Sequence, residues 1–201
     1  MTMTPRKYNL EKRQAATEAI RHRILESTLA LHAENGIFGT SWKDIANHAD
    51  VSLATVYNYF PSLNELVPAC GELMYAITQP PSLDDAETIF SGSTTLEDRL
   101  ARLTKTLFDF YERGEAYLDV DHQERKLEPI RQWEAYLRSL IDDLTRIALS
   151  PNKAHEHIVE PIAALLDAPV FLSFRRRGLS RMQIEQIIHQ LLVCWINLPS
   201  R

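Results

Sequence analysis

Residues 41–61 read SWKDIANHADVSLATVYNYFP, and their spacing decides the fold. Ser41 and Asp44 stand three apart at the head of a short segment. They form a capping box in which each side chain satisfies a backbone N–H that a helix leaves unpaired at its start. A second short segment begins at Ser52 and runs to Phe60, where Pro61 stops it. Two short helices joined by so tight a turn have the dimensions of a helix-turn-helix, whose second helix lies in the DNA major groove while the first crosses the backbone. Small or apolar side chains must meet where the helices cross, and Ile45, Ala46, Ala49, Val51, Val56 and Phe60 supply them. The turn needs a left-handed residue, and Asp50 tolerates that conformation less easily than Gly would. The second helix then offers Leu53, Ala54, Thr55, Tyr57, Asn58 and Tyr59 to base edges and phosphates, with no charge among them. On pattern alone, the competing reading is an αα corner whose tyrosines pack on the next domain.

Working outward, Ile20, Ile24, Leu25, Thr28, Leu31 and His32 keep helical spacing and end at Gly36, a natural left-handed cap. Ser62 and Glu65 make another capping box, opening a fourth helix towards Thr78. Pro68 inside it removes one backbone bond, which predicts a bend, and Gly71 softens the following turn. Residues 80–93 read as a loop or linker. Helical periodicity resumes over 95–113, 129–149 and 153–167, and Ser180–Gln183 caps a last helix on Ile184, Ile187, Ile188, Leu191, Leu192 and Trp195. No segment sustains period-two alternation, so the fold class is all-α.

Composition narrows the function classes. The chain of 201 residues is 45% hydrophobic and 24% charged, which excludes disorder for its bulk. Cys70 and Cys194 form neither a metal cluster nor a disulfide framework, and no apolar run approaches the ~20 residues of a membrane span. With no secretion signal at Met1–Lys7, a cytoplasmic protein off the membrane is expected. Charge is uneven: residues 1–67 sum to zero, residues 68–201 to −5, and the first 23 carry six basic against two acidic side chains. A near-neutral module with a basic leading edge, joined to an acidic body, suggests two jobs; a solvated N-terminal tail is the plainer account of the edge.

Enzyme chemistry finds little support. His155 and His157 are two apart and do not share a helix face, and His-Glu-x-x-His, Gly-x-Ser-x-Gly and phosphate loops are absent. Asp119, Asp121, His122 and Glu124 read as a solvated acidic turn, with a cation site as the alternative. Arg175–Arg177 before Gly178 fit a helix C-terminus meeting its own dipole. No catalytic residue, cofactor or metal site is expected.

The run Gly36–Ala46, then Ala49–Ser52, then Thr55–Ser62, resembles the signature of tetracycline-repressor-type (TetR) regulators at fixed spacing, within residues 20–67. The resemblance implies a basic N-terminal arm (1–18), a helix-turn-helix DNA-binding domain (19–66) and a helical effector-binding and dimerisation domain (67–201). It implies that Thr40, Ser41 and Lys43 hold phosphates, and that Ser52, Leu53, Ala54, Thr55, Tyr57 and Asn58 face the groove. Tyr59 falls where the family contacts the backbone. Leu53 and Ala54 can touch thymine methyls and Asn58 can pair with adenine, so apolar contacts and shape are expected to matter in the operator. This sequence departs from the family at Leu63 (usually Lys), Asp50 (usually Gly) and His32 (usually aromatic; here a buried, hydrogen-bonded histidine is expected). Losing the lysine makes Arg6, Lys7, Lys12 and Arg13 candidates for supplementary groove or phosphate contacts.

By the same resemblance, Phe108, Tyr111, Tyr117, Trp133 and Tyr136 lie on helices that line a small-molecule cavity, although aromatics at helical spacing also make plain core. A mostly apolar or aromatic effector would suit them. The final helix carries an apolar stripe wider than one buried face needs. Ile158, Ile162, Leu165, Ile184, Ile188, Leu191, Leu192 and Trp195 are therefore the expected homodimer interface, against a simple intrachain core. A two-fold dimer demands a palindromic operator. Coupling would run through the fourth helix, with Pro68 and Gly71 as its weak point. The chain thus reads as a homodimeric repressor released from double-stranded DNA by a small organic effector. Control by a protein partner, or activation, stays open, and a helical enzyme or binding module without DNA activity is the remote alternative.

Overall fold

The computed structural model describes residues 6–150 and 157–197, with side chains from residue 10 onward, and every regular element among them is helical. The elements are α1 (Arg6–Asn35), α2 (Trp42–His48), α3 (Leu53–Tyr59), α4 (Leu63–Thr78), α5 (Ala86–Phe90), α6 (Leu96–Leu118), α7 (Glu128–Leu149), α8 (Val159–Leu165), α9 (Ala168–Arg175) and α10 (Arg181–Ile196). They group into two units. A head comprises residues 1–76 with Asp121–Glu124, and a body comprises 77–120 and 125–201.

The head follows from local rules. Gly36 ends α1 at φ +75, the left-handed cap its sequence position demands. Gly39 closes the following turn, where an added Cβ would lie 2.0 Å from the Asn35 carbonyl oxygen, so no larger residue fits. Ser41 caps α2 as a full capping box: the Ser41 N–H donates to Asp44 Oδ2 at 3.1 Å and the Asp44 N–H to Ser41 Oγ at 3.2 Å. The Ser41 hydroxyl, donating to Asp44 Oδ2, and after it the Ser41 N–H hold the exposed Asp44 carboxyl below its ordinary range. Ser52 caps α3 through the Thr55 N–H, and Ser62 donates to Glu65 at the start of α4, inside which Pro68 lies. The head's small core is Ile24, Leu25, Leu29, Ile45, Ala46, Ala49, Val56, Phe60 and Leu66, all buried.

In the body, α6 packs on α5, α7, α9 and α10, and α7 also packs on α8. Thr95 and Ser180 cap α6 and α10 with reciprocal boxes. The Arg99 guanidinium donates to the Ala148 and Ile147 carbonyls (2.8 and 2.7 Å), closing the last turn of α7, and lies 4.4 Å from the Phe90 ring centroid. Each fully buried Leu, Ile or Phe side chain of this core contributes about 1.5–3 kcal/mol.

Several expectations change here. Residues 80–93 are no plain loop: a 3-10 turn at Leu83–Asp85 leads into α5, which buries Phe90. The helix expected over 153–167 is described only as α8, since residues 151–156, with His155 and Glu156, lie outside the described residues. Asp167 then caps α9, a separate helix. Arg175 and Arg176 reach carboxylates on or beside α6, Glu115 at 2.9 Å and Asp119, rather than mainly their own helix end; Arg177 alone binds a carbonyl of its own helix, Ser173.

Candidate nucleic-acid interface

The tight turn between α2 and α3 is built as the sequence demands. Asp50 sits at φ 52, and the Val51 N–H donates to the Ala46 carbonyl at 3.0 Å, folding the chain back so that α3 packs on α2. One side of α3 is buried through Val56, with Phe60 just beyond the helix buried beside it. The other side carries Ser52, Leu53, Ala54, Tyr57 and Asn58, all exposed; Tyr57 keeps 43% of its surface open. Its ring stacks on Trp42 at 5.1 Å between centroids and 29° between planes, which fixes an exposed aromatic in one direction. Sequence reasoning does not reach Trp42 as a site residue; its position at the first turn of α2 is the only local signal.

The remaining expected contact residues are placed less openly. Thr55 is half-buried, and its hydroxyl lies 2.7 Å from Ser52 Oγ. Thr40 donates its hydroxyl to the Gly36 carbonyl at 2.9 Å, and Ser41 donates to Asp44 at 2.5 Å, so both use their donors on the head's own turns. Lys43 is exposed on α2. Tyr59 is half-buried and donates to the Thr17 carbonyl of α1 at 3.2 Å. Beside it the Arg21 guanidinium stands 5.6 Å from the Phe60 ring centroid and 4.0 Å from Glu72.

Sequence reasoning also misses the role of Glu124. It is neither a cation ligand nor part of a solvated turn, for it is 6% exposed and its carboxylate accepts the Ile37 N–H at 2.5 Å and the Asp121 N–H at 3.0 Å. Gly36 leaves room for it: an added Cβ there would come within 2.8 Å of Glu124 Oε1. Asp121 in turn accepts the Gln123 and Glu124 N–H groups. Among the described residues no group of His, Cys, Asp and Glu could hold a metal ion. His32, half-buried nearby, has its pKa pushed down to about 4 by burial, with Glu124 pulling weakly the other way, so it is neutral near pH 7. Burial pushes the Cys70 thiol up to about 12, which makes it an inert core group.

The expected pocket and dimer residues separate. Phe108 and Tyr111 are fully buried among Phe110 and Phe171 in the body's core, and the Tyr111 hydroxyl donates to the Leu166 carbonyl at 2.9 Å. Tyr117 and Trp133 are half-buried, Trp133 stacking on Tyr136 at 5.7 Å. Tyr136 is exposed and borders a groove of about 270 Å³ with Ser82, Leu83, Asp84, Ser139, Leu140 and Asp143. Ile158, Ile162, Ile184, Ile188 and Leu192 are buried within this chain's own core, so they have no surface left for a partner, and Leu165 and Trp195 pack against the same core. Leu191 differs, at 50% exposed, with Met182 and Cys194 also exposed and Ile187 half-buried on α10.

Comparison with known proteins agrees with this geometry. Residues 24–70 match the family model for bacterial regulatory proteins of the tetR family. Over 52 residues the chain is 42% identical to the HTH-type transcriptional repressor KstR of Mycolicibacterium smegmatis, covering 25% of this chain and 26% of that protein. The chain thus aligns with about a quarter of the length of the curated relative. Two solved structures share the fold at low identity: the TetR family transcriptional regulator PfmR of Thermus thermophilus (TM-score 0.58, 18% identical, 90% of this chain and 97% of that one) and the multidrug binding protein EbrR (0.59, 19%, 90% and 96%). No helix among the described residues is long and apolar enough to cross a membrane. Residues 24–70 thus carry a helix-turn-helix similar to that of the tetR family of bacterial regulatory proteins.

Proposed function

We propose that this protein is a homodimeric, cytoplasmic transcriptional repressor that binds a palindromic operator and leaves it when a small organic effector binds the body. The observation that carries the reading is the open face of α3. Leu53, Ala54, Tyr57 and Asn58 project from a helix whose opposite side is buried and whose turn and caps are already satisfied. A rigid, hydrogen-bond-capable rod suits base-edge reading, while Lys43 supplies charge for a phosphate.

For dimerisation, the outer face of α10 through Ile187, Leu191 and Cys194 supports pairing better than the buried stripe does. For the effector, the groove beside Tyr136 and Leu83 favours a small ligand with an aromatic or apolar part. Coupling has two covalent routes: α4, whose last residues belong to the body, and Asp121–Glu124, which the chain returns to the head.

The test is fluorescence anisotropy of the full chain on duplexes tiled across the DNA upstream of its own gene, at two salt concentrations, with and without candidate effectors. Sequence-specific binding that Tyr57→Ala abolishes supports the proposal. Uniform weak binding to every duplex refutes it.

A further inference from the structure

We infer that the N-terminal half of α1 is a second DNA-binding element, a free-standing helix that grips the phosphates flanking each half-site; this rests on the proposed reading of α3. The helix runs unbroken from Arg6, although the family match begins only at residue 24. Residues 10–19 are all exposed, and the first fully buried side chain is Ile24. Residues 10–19 therefore form about 15 Å of helix, at 1.5 Å per residue, with no core beneath them. A helix that is exposed all round gains nothing from packing, so its own composition must sustain it. Here Glu11, Lys12, Gln14, Ala15, Ala16 and Ala19 are strong helix formers continuing a helix already nucleated in the head.

Three observations name the occupant. The first is charge: residues 6–19 hold four cations and two acids, a surplus of +2 in a chain whose net charge is −5, leaving −7 for the rest. The second is register. At 100° per residue, positions 6, 10, 13, 17 and 21 share one face, reading Arg, Leu, Arg, Thr, Arg, while Glu11 and Glu18 fall together about 100–120° away. That face is cationic without an acid on it. The third is continuity with the reading helix: the Tyr59 hydroxyl at the end of α3 donates to the Thr17 carbonyl, and Arg21 one turn further lies over Phe60. The cationic face thus meets the head at the end of α3, so a duplex seated on Tyr57 and Asn58 continues past Tyr59 towards Arg13. A rigid helix cannot thread the narrow minor groove as an extended arm can, so its contacts are phosphates and carry no base preference.

The test compares wild type with the Arg6→Gln/Arg13→Gln double variant, both confirmed helical by circular dichroism. Anisotropy is measured on two duplexes: the palindrome trimmed at its outer base pairs, and the same palindrome with eight added base pairs on each side. For wild type, the flanks should tighten binding about tenfold at 100 mM salt. The double variant should lose that gain, bind the trimmed duplex like wild type, and show a salt slope shallower by about one for each phosphate it no longer neutralises. Equal affinities and slopes for both proteins on the long duplex overturn the inference while leaving α3 as the reader. A weakening of equal size on both duplexes also overturns it, because the arginines would then act inside the half-site. Absence of specific binding by wild type on either duplex points instead to failure of the underlying functional reading.

Discussion

Replacing Glu124 with alanine tests whether the acidic turn between α6 and α7 is a working part of the head. Its carboxylate accepts two backbone N–H groups, from Ile37 and Asp121, at 2.5 and 3.0 Å, and it is almost wholly buried. Hydrogen bonds to a charged acceptor contribute about 1.5–3 kcal/mol each, and burying the carboxylate takes back part of that sum. Removal also leaves the Ile37 N–H without its acceptor, so Glu124→Ala should destabilise the head by about 2–4 kcal/mol. Glu124→Gln keeps one acceptor oxygen but turns an NH₂ towards the other N–H, and should cost about half as much. Asp119→Ala is the control, since its carboxylate pairs with Arg176 while both stay more than half exposed, a pair of the kind that contributes about 0–1 kcal/mol. Urea unfolding is followed by Trp42 fluorescence in a Trp133→Phe/Trp195→Phe background, so that only the head reports. With a slope of about 1 kcal/mol/M for a unit of this size, the Glu124→Ala midpoint should fall by about 2 M or more. If Glu124→Ala and Asp119→Ala shift it equally, the buried seat of Glu124 is wrong.

Acid should weaken the head through His32. An unfolded histidine near 6.5 takes its proton before the folded one near 4, so its contribution is complete above 6.5 and falls as pH drops from 6.5 towards 4. The loss is about 1.4 kcal/mol at pH 5.5 and about 3 kcal/mol at pH 4, and urea midpoints of His32→Phe should fall less over that range than those of wild type. Asp50→Gly relieves a left-handed φ of 52 and should raise stability by about 0.5–1 kcal/mol, seen as a higher melting temperature; an unchanged or lower one counts against the turn geometry. Leu191→Glu should leave the body folded but shift light-scattering mass from dimer to monomer, whereas Leu192→Glu, at a fully buried position, should unfold the body.

The head is readable from sequence because its signals are local. Ser41, Asp44, Ser52 and Gly36 each act within four residues, and Asp50 lies where only a left-handed residue closes the turn. The body is readable as helices but not as an arrangement. Periodicity says that Ile184, Ile188 and Leu192 are buried, yet it cannot say against what, and the core of this chain claims them instead of a partner. The same holds for Phe108 and Tyr111, whose spacing does not show that both close on Phe171. The segment Ala86–Phe90 is too short to show a helical period, so it reads as linker. Glu124 has a local signal only for its reciprocal bonds with Asp121, three residues before it; its other partner, Ile37, is 87 positions away, and an acid in an acidic turn looks the same whether it faces water or a distant backbone N–H.

The hydrogen bonds already made within the head limit how it can read bases. Thr40, Ser41, Ser52 and Thr55 have their hydroxyls engaged within the head, so using them on DNA means giving up a cap or a turn bond. The groups left over are the apolar surfaces of Leu53 and Ala54, the Asn58 amide, and Tyr57, whose stack on Trp42 leaves little rotamer entropy to lose on contact. Leucine and alanine recognise only the thymine methyl among the major-groove features, and asparagine pairs best with adenine. Specificity should therefore concentrate at A·T pairs and depend on methyl groups. Replacing operator thymines one at a time by uracil keeps every hydrogen bond and deletes one methyl, worth about 0.8 kcal/mol when buried, so affinity should fall about fourfold per contacted thymine. Leu53→Ala should flatten that response at its own position while leaving other positions unchanged. If uracil substitution changes nothing anywhere in the palindrome, the apolar face of α3 does not meet the bases, and the hydroxyls must leave their caps to do the reading.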